Sequence, residues 1–154
     1  MNNGWSCKPF TALTPDELYA ILRLRIEVFI VEQQCIFQDA DNNDQQAMHL
    51  MCWENNQLAA YARLFAPGIM YPESSIGRIL TNSQFRNKRY GKQLLTESIQ
   101  QIYRLYGAGP IQIGAQLYLK KFYESFGFRQ SGDVYDEDGI DHIHMIKPFT
   151  NTSE

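Results

Sequence analysis

The first amphipathic pattern along the chain is that of a helix. One face collects apolar residues three and four positions apart, with an arginine in the same line: Leu18, Ile21, Leu22, Arg25 and Phe29. Just before it, Thr14-Pro15-Asp16-Glu17 has the hydroxyl cap, first-turn proline and following glutamate of a helix start. We expect this helix to fade near Val31, where β-branched and aromatic residues follow one another. Its arginine should be buried and should need a countercharge.

Shorter apolar runs bounded by turn residues indicate strands. They cover Trp5–Phe10, Met48–Trp53, Leu58–Phe65, Ser75–Leu80 and Ile111–Ile113, and a final hairpin joins Gln130–Asp133 to His142–Ile146 around Asp138-Gly139. Two further helices are predicted over Tyr90–Tyr106 and over Leu117–Phe126, which Gly127 stops. The order predicts an α/β fold, a mixed sheet flanked by helices on both faces. We expect one domain spanning residues 1–154, with its core at about 5–148.

Composition and charge narrow the class of protein. Apolar residues make up 44% of the chain and charged residues 20%, as in ordinary globular proteins. The net charge of -3 argues against nucleic acid or an anionic membrane as partner. No segment approaches the roughly 20 apolar residues of a membrane span. The irregular spacing of Cys7, Cys35 and Cys52 favours reduced thiols over a disulfide framework, so we expect a cytoplasmic protein.

A basic turn precedes the Tyr90–Tyr106 helix. It runs from Arg86 to Lys92, and Gly91 would let the backbone approach a diphosphate closely. The unpaired N–H groups of a first helical turn, together with the helix dipole, favour an anion there. Arginine and lysine side chains could add charge-assisted hydrogen bonds. The same pattern also fits a solvated basic helix start, and the spacing alone does not decide between the two.

Several motifs in order resemble the GNAT superfamily of N-acetyltransferases. Arg86-x-x-Arg89-x-Gly91 is similar to the signature that cradles the pyrophosphate of acetyl-CoA, and Phe122-Tyr123-Glu124-Ser125-Phe126-Gly127-Phe128 is similar to the (L/F)YE-x-x-GF segment. The ElaA-like branch is resembled by Leu24-Arg25, the Val28–Gln33 segment, Gly114-Ala115-Gln116 and the Glu137–Ile143 segment. The resemblance spans roughly Trp5 to Lys147. It implies the GNAT acyl-CoA N-acyltransferase fold, acetyl-CoA as cosubstrate and direct acetyl transfer to an amine, without a metal.

The resemblance also implies a set of cofactor-binding residues. The diphosphate would contact the turn, namely Arg86, Asn87, Lys88, Arg89, Tyr90, Gly91 and Lys92. Backbone N–H groups of Ile79, Leu80 and Thr81 would bind the thioester carbonyl and the pantetheine arm, with Gln116 and Tyr118 on the other side of that arm. Gln116 could equally cap the following helix. Arg89 stands where the family has the first loop glycine. We expect arginine to be tolerated at this position only if its φ is negative.

Catalytic roles follow from the same resemblance and from residue chemistry. Tyr123 matches the tyrosine that protonates the departing thiolate, although a core aromatic is the alternative on residue type alone. For the base, His142 is the first candidate and Glu32 the second, since burial would raise the pKa of Glu32. Pairing with Arg25 is the favoured alternative for Glu32. His49 could also accept a proton, although a lone histidine is more often structural.

The remaining polar clusters predict no further site. Asp39–Asp44 begins like a calcium loop but lacks its glycine and closing glutamate. We therefore expect Gln38–Gln46 to be a solvated acidic loop that could attract a cationic acceptor, as could Asp136, Glu137 and Asp138. His142 and His144 lack a third metal ligand, and Cys35 is expected to be a core thiol. The acceptor is expected to be a primary amine of a small molecule or peptide, and a homodimer stays open. The alternative function is a non-catalytic acyl-CoA sensor.

Overall fold

The computed structural model describes residues 3–149, apart from the side chain of Asn87. Its strands are β1 (Gly4–Pro9), β2 (Met48–Glu54), β3 (Gln57–Phe65), β4 (Ser74–Thr81), β5 (Ile111–Gln116), β6 (Arg129–Glu137) and β7 (Ile140–Lys147). Its α-helices are α1 (Pro15–Arg25), α2 (Tyr90–Tyr106) and α3 (Lys120–Glu124). A π-helical segment, Ile26–Glu32, continues α1, and 3-10 turns lie at Phe10–Ala12, Asp44–Gln46, Ser83–Lys88 and Leu117–Leu119.

The described strands form one mixed sheet in the order β1-β2-β3-β4-β5-β7-β6. The predicted fold class, an α/β mixed sheet with helices on both faces, is therefore confirmed. On one face, α2 covers buried residues such as Leu50 and Ile113. On the other, α1 and the π-helical segment cover Met51 and Tyr61. Consecutive β2 residues, Leu50 and Met51, thus enter opposite cores, as the two-residue period of a strand requires.

Local signals explain where the elements begin and end. Thr14 and Glu17 form the predicted capping box at the start of α1, and α2 has the predicted limits. The predicted helix Leu117–Phe126 is wrong in length, because a 3-10 turn occupies its start and α3 ends at Glu124. The final hairpin is longer than predicted, because the pairing of Tyr135 with His142 extends both strands. The exposed residues of β6 do not alternate clearly between polar and apolar, so the pattern did not show the full length of this strand.

The neighbours β4 and β5 run parallel but pair over a short distance. Only Ser74 with Ile111 and Ser75 with Gln112 are in register among the described residues. Beyond these pairs the strands diverge toward their carboxyl ends, while β5 stays paired with β7 along its whole length. The divergence leaves a gap in the middle of an otherwise continuous sheet. Across residues 3–149, no helix combines the length and the apolar character needed to cross a bilayer.

Candidate functional site

The gap between β4 and β5 opens into a cleft of about 540 Å³. Its walls include predicted site residues from several elements: Glu32, Ile79, Leu80, Thr81, Arg86, Gln116, Tyr118, Tyr123 and His142. A cavity of this size lies in the range of small-molecule and cofactor sites. The structure thus brings the three predicted catalytic residues together with both predicted sides of the pantetheine site.

A β-bulge shapes the β4 wall of the cleft. Tyr61 on β3 faces Leu80, whereas Arg63 faces Gly77, so β4 carries an extra residue between these pairs. Arg78 lies in the bulge with a left-handed φ of 49°. The Asn82 N–H donates to the Ala59 carbonyl at 2.8 Å.

The direction of the β4 amides follows from that hydrogen bond. Because successive N–H groups of a strand point to opposite sides, the Leu80 N–H, like that of Asn82, points toward β3. The N–H groups of Ile79 and Thr81 then point into the gap. Leu80 also buries its side chain in the core under α1. Two of the three predicted backbone donors therefore face the cleft, and the third belongs to the β3–β4 ladder.

The predicted phosphate turn consists of the 3-10 turn Ser83–Lys88, then Arg89, then the start of α2. No described side chain caps this end of α2. Arg89 adopts φ 62° and ψ 24°, which is the left-handed region. The expectation of a negative φ is therefore wrong: Arg89 adopts the conformation for which the family's glycine is suited.

The side chains of the turn point in different directions. Arg86 lies at the cleft, where its Nη2 donates to the Thr81 carbonyl at 3.2 Å. Lys88 contacts Glu54, with Nζ and Oε1 2.6 Å apart. The Tyr90 hydroxyl bonds to the same carboxylate, which raises the pKa of Tyr90 to about 12.

The rest of the turn leaves its backbone accessible. Arg89 and Lys92 are exposed, and a Cβ on Gly91 would lie 4.0 Å from the Phe122 ring. The prediction for Asn87 falls on a side chain outside the described residues. Arg89 and Lys92 form no ion pair among the described residues and are free to reach an anion, whereas Arg86 is paired with Glu32.

Tyr123 enters the cleft from α3. The residue is buried, at 5% exposure, and packs edge-on against Phe122 and Phe128. No described group hydrogen bonds to its hydroxyl, although the ring is enclosed on its other sides. Burial raises the pKa of Tyr123 well above the usual value for a phenol, so the group stays protonated at neutral pH. Tyr123 is therefore a core aromatic residue whose hydroxyl can also donate a hydrogen bond in the cleft.

Glu32 lies at the end of the π-helical segment. Its Oε1 accepts a hydrogen bond from Arg86 Nη2 at 2.7 Å, and both side chains are partly exposed. The predicted burial of Glu32 and its predicted pairing with Arg25 are therefore wrong, because Arg25 finds its countercharges elsewhere. Glu32 still lines the cleft, but its carboxylate is already engaged by a residue of the phosphate turn.

Gln116 ends β5 without capping the following 3-10 turn. Its side chain instead exchanges hydrogen bonds with Gln33, with Gln116 Nε2 and Gln33 Oε1 3.2 Å apart. Of the two alternatives left open by the sequence, capping is thus the wrong one. The amide pair joins the residue that follows the π-helical segment to the end of β5 across the cleft.

His142 lies on β7, opposite Gln116. Its Nδ1 donates to the Ile140 carbonyl at 2.7 Å, which fixes the tautomer and leaves Nε2 to exchange a proton. Nε2 lies 3.5 Å from Oε2 of Glu137, a residue that also lines the cleft. The other candidate, His49, is fully buried, with its ring nitrogens bonded to the Tyr61 hydroxyl and the Asp44 carbonyl. These buried hydrogen bonds give His49 a structural role.

The acidic segment Gln38–Gln46 is not a solvated loop, contrary to expectation. Asp39 and Asp44 are buried, and with Asp41 they bond three arginines: Arg25, Arg63 and Arg78. Although burial alone would raise it, hydrogen bonds from Arg63 hold the pKa of Asp41 far below its usual range. These carboxylates are neutralised, so they cannot attract a cationic acceptor. No cluster of three metal-ligating side chains occurs in residues 3–149.

Other cleft residues were missing from the sequence-based set. Gln33, Cys35, Arg78 and Glu137 all line the cleft. Cys35 is also the donor in a contact of 3.1 Å from its Sγ to the Asp138 carbonyl, which joins this segment to the β6–β7 turn. A signal for Arg78 existed, because a charged residue next to glycine inside an apolar strand is typical of a bulge. Glu137 was named only as an acidic residue that could attract a cationic acceptor, and no local pattern assigned Gln33 or Cys35 to the cleft.

Comparison with known proteins agrees with this geometry. Residues 14–149 match the family described as Acetyltransferase (GNAT) domain. A UPF0039 protein of Synechocystis is 44% identical over 147 residues, covering 95% of this chain and 96% of the relative. An acyl-CoA N-acyltransferase from Pseudomonas aeruginosa, 40% identical, superposes with a TM-score of 0.90 over 95% of this chain and 99% of that one. Escherichia coli ElaA is 36% identical and superposes with a TM-score of 0.86 over 93% of this chain and 97% of that one. The chain therefore belongs to the GNAT acetyltransferase family, in the group that contains ElaA and the UPF0039 proteins.

Proposed function

We propose that the protein is an N-acetyltransferase that moves the acetyl group of acetyl-CoA directly to a primary amine of a small molecule or peptide. The observation that carries the proposal is the divergence of β4 and β5 around a cleft in which the Tyr123 hydroxyl has no described partner. An extended pantetheine arm can occupy such a gap by hydrogen bonding to a strand edge. The family assignment supplies the chemistry that this gap would serve.

The cofactor would lie with its diphosphate at the start of α2. The unpaired N–H groups of the first turn and the exposed basic side chains Arg89 and Lys92 suit that anion. Arg86 would join them by leaving Glu32. The pantetheine arm would then run between β4 and β5, with Gln116 and Tyr118 on the β5 side. This arrangement brings the thioester to the middle of the cleft.

Acetyl transfer requires stabilisation of the thioester carbonyl oxygen, removal of a proton from the amine and protonation of the departing thiolate. The N–H groups of Ile79 and Thr81 would donate to the carbonyl oxygen as it gains charge. Nε2 of His142 would take a proton from the amine, directly or through water, while Nδ1 stays bonded to the Ile140 carbonyl. Tyr123 would protonate the departing thiolate. Glu32 is the weaker base candidate because it is engaged by Arg86.

The acceptor would enter from the side of the cleft opposite the phosphate turn. Glu137 and Asp138 line that side, and neither forms an ion pair with arginine or lysine among the described residues. Their charge favours a cationic amine. A panel of polyamines, aminoglycosides, lysine peptides and arylamines tests this, with free CoA thiol as the readout. No turnover on any cationic member would contradict the proposed acceptor class.

Tyr123→Phe separates the enzyme from a non-catalytic acyl-CoA sensor. The proposal predicts that this variant binds CoA with unchanged affinity in calorimetry but loses turnover by about 100-fold, the scale of general acid catalysis. Tyr19→Phe is a matched control, since Tyr19 is 72% exposed on α1. Equal turnover in wild type and Tyr123→Phe would refute the role of Tyr123. Binding of acetyl-CoA without turnover on any acceptor would favour the sensor.

A further inference from the structure

An extended ion-pair cluster lies directly behind the bulged wall of the cleft. We define the Arg–Asp cluster as Arg25, Arg63, Arg78, Asp39, Asp41 and Asp44. Arg25 is fully buried, with Nε 2.9 Å from Asp39 Oδ2 and Nη1 2.7 Å from Asp44 Oδ1. Arg63 is almost as deeply buried and bonds Asp41 and Asp44. The formal charges of the cluster cancel, so it adds no net charge beside the cleft.

Arg78 is the member that reaches the cleft. It lies in the β4 bulge with a φ of 49°, a conformation that is strained for any residue other than glycine. Pairing with β3 holds on either side of the bulge, at Gly77 and at Leu80, but is interrupted at Arg78 itself. The guanidinium also lies over the Phe37 ring, 5.6 Å from its centre.

Asp39 makes the short hydrogen bonds that hold Arg78 in place, and Asp41 adds a longer ion pair of 3.5 Å to Arg78 Nη2. Oδ1 of Asp39 accepts from Arg78 Nε at 2.9 Å, while Oδ2 accepts from Arg25 Nε. The Asp39 carbonyl also accepts from both guanidiniums, at 3.0 Å for Arg25 Nη2 and 3.1 Å for Arg78 Nη2. One buried residue therefore ties α1 to the bulge through four hydrogen bonds.

We infer that the Arg–Asp cluster is the positioning device of the thioester-carbonyl site: by holding Arg78 in the left-handed conformation, it directs the Ile79 N–H into the cleft. The inference rests on the proposed acetyl-CoA site and assigns a role to residues that the proposed mechanism does not use. If the clamp on Arg78 is removed, the backbone can relax toward the ordinary extended region, which favours regular pairing with β3. The Ile79 N–H then turns away from the thioester carbonyl oxygen.

The test compares Arg78→Gly with Arg78→Ala. Both variants lose the guanidinium, its ion pairs and its contact with Phe37, but only glycine adopts a positive φ without strain. The readouts are the dissociation constants for acetyl-CoA and for CoA and the carbonyl stretching frequency of bound carbon-13-labelled acetyl-CoA. We expect the preference for acetyl-CoA over CoA to fall about tenfold further in Arg78→Ala than in Arg78→Gly, as one lost hydrogen bond to the carbonyl implies. The carbonyl frequency should rise toward its value in water only in Arg78→Ala.

Asp39→Asn provides a second variant that leaves Arg78 intact. It should reduce the acetyl-CoA preference in the wild-type background and have little further effect in the Arg78→Gly background, because the conformation no longer needs the clamp. Equal losses in Arg78→Gly and Arg78→Ala, or additive effects of Asp39→Asn, would overturn the inference. Failure of the wild type to bind CoA at all would instead overturn the proposed function.

Discussion

Nη2 of Arg86 lies 2.7 Å from Oε1 of Glu32, which joins the phosphate turn to the end of the π-helical segment. The sequence suggested separate roles for these two residues, one on the cofactor and one on the acceptor. In the structure, each is the other's partner. A diphosphate arriving at the start of α2 must compete with Glu32 for the guanidinium.

Glu32→Gln is therefore expected to strengthen CoA binding. The variant removes both a competitor for Arg86 and a negative charge near the diphosphate. Because the pair is partly exposed, the gain should be only about two- to fivefold at low salt, and it should shrink as the salt concentration rises. Calorimetric titration with CoA measures it. Glu27→Gln, on the same helical segment and weakly paired with Arg23 at 3.8 Å, is the control. Weaker binding in Glu32→Gln would show that the carboxylate supports the cofactor site.

Arg89→Gly should stabilise the fold. Glycine removes the strain of a left-handed residue, about 1–2 kcal/mol, and this exceeds the extra entropy of glycine in the unfolded chain. We expect the free energy of unfolding in urea to rise by about 0.5–1 kcal/mol. The matched control is Lys92→Gly in the first turn of α2, where glycine should lower it by about the same amount. A loss of stability in Arg89→Gly would mean that its side chain makes an essential contact.

Low pH should destabilise the protein through the Arg–Asp cluster. Burial alone would raise the pKa of Asp44 as it would that of Asp41, but the arginines hold both pKa values below the usual range. The stabilisation is therefore present above the ordinary value of about 4 and is lost as the pH falls below it. Urea titrations between pH 7 and pH 2 measure the decline.

Asp41→Asn checks the origin of that decline. It should cost about 1–3 kcal/mol at neutral pH and flatten the loss of stability below pH 4, because one of the titrating carboxylates is gone. Asp133→Asn, at an exposed position of β6, should leave the profile unchanged. An unchanged profile in Asp41→Asn would place the acid sensitivity in groups other than Asp41.

Gly127→Ala should lower the stability of the α3 end that holds Tyr123. Gly127 has a φ of 93°, and a Cβ there would lie 2.9 Å from Lys147 Nζ. The following N–H, from Phe128, donates to the Tyr123 carbonyl at 3.3 Å. We expect a loss of about 1–2 kcal/mol in the free energy of unfolding. Gly109→Ala, where a Cβ meets no atom within 4 Å, should cost nothing. Equal effects at both positions would exclude conformational strain as the cause.

The sequence predicted those features that depend on local pattern. The limits of α2 follow from its helical period. The capping box follows from the spacing of Thr14 and Glu17, which lie three residues apart. The burial of Arg25 followed from its place in an apolar line, but its partners did not. Asp39 and Asp44 lie 14 and 19 positions away, in a segment whose polar composition is equally typical of a solvated loop.

The candidate site divides in the same way. Tyr123, His142 and Arg86 are motif residues that line one cleft, whereas the rest of the phosphate turn that the structure describes does not belong to its lining. The left-handed φ values of Arg78 and Arg89 were not predicted. The glycine beside Arg78 indicates a bulge but not this φ, and both conformations override the ordinary preference of arginine. The Gln33–Gln116 pair joins residues 83 positions apart, and no local pattern marks such a contact.

A crystal structure with acetyl-CoA bound tests the central claim most directly. We expect the pantetheine arm between β4 and β5, the diphosphate at the N–H groups that begin α2, and the thioester sulfur within hydrogen-bonding distance of the Tyr123 hydroxyl. Arg86 should have left Glu32 for a phosphate oxygen. Density for the cofactor outside the β4–β5 gap, or no binding at millimolar acetyl-CoA, would contradict the assignment of this cleft as an acetyl-transfer site.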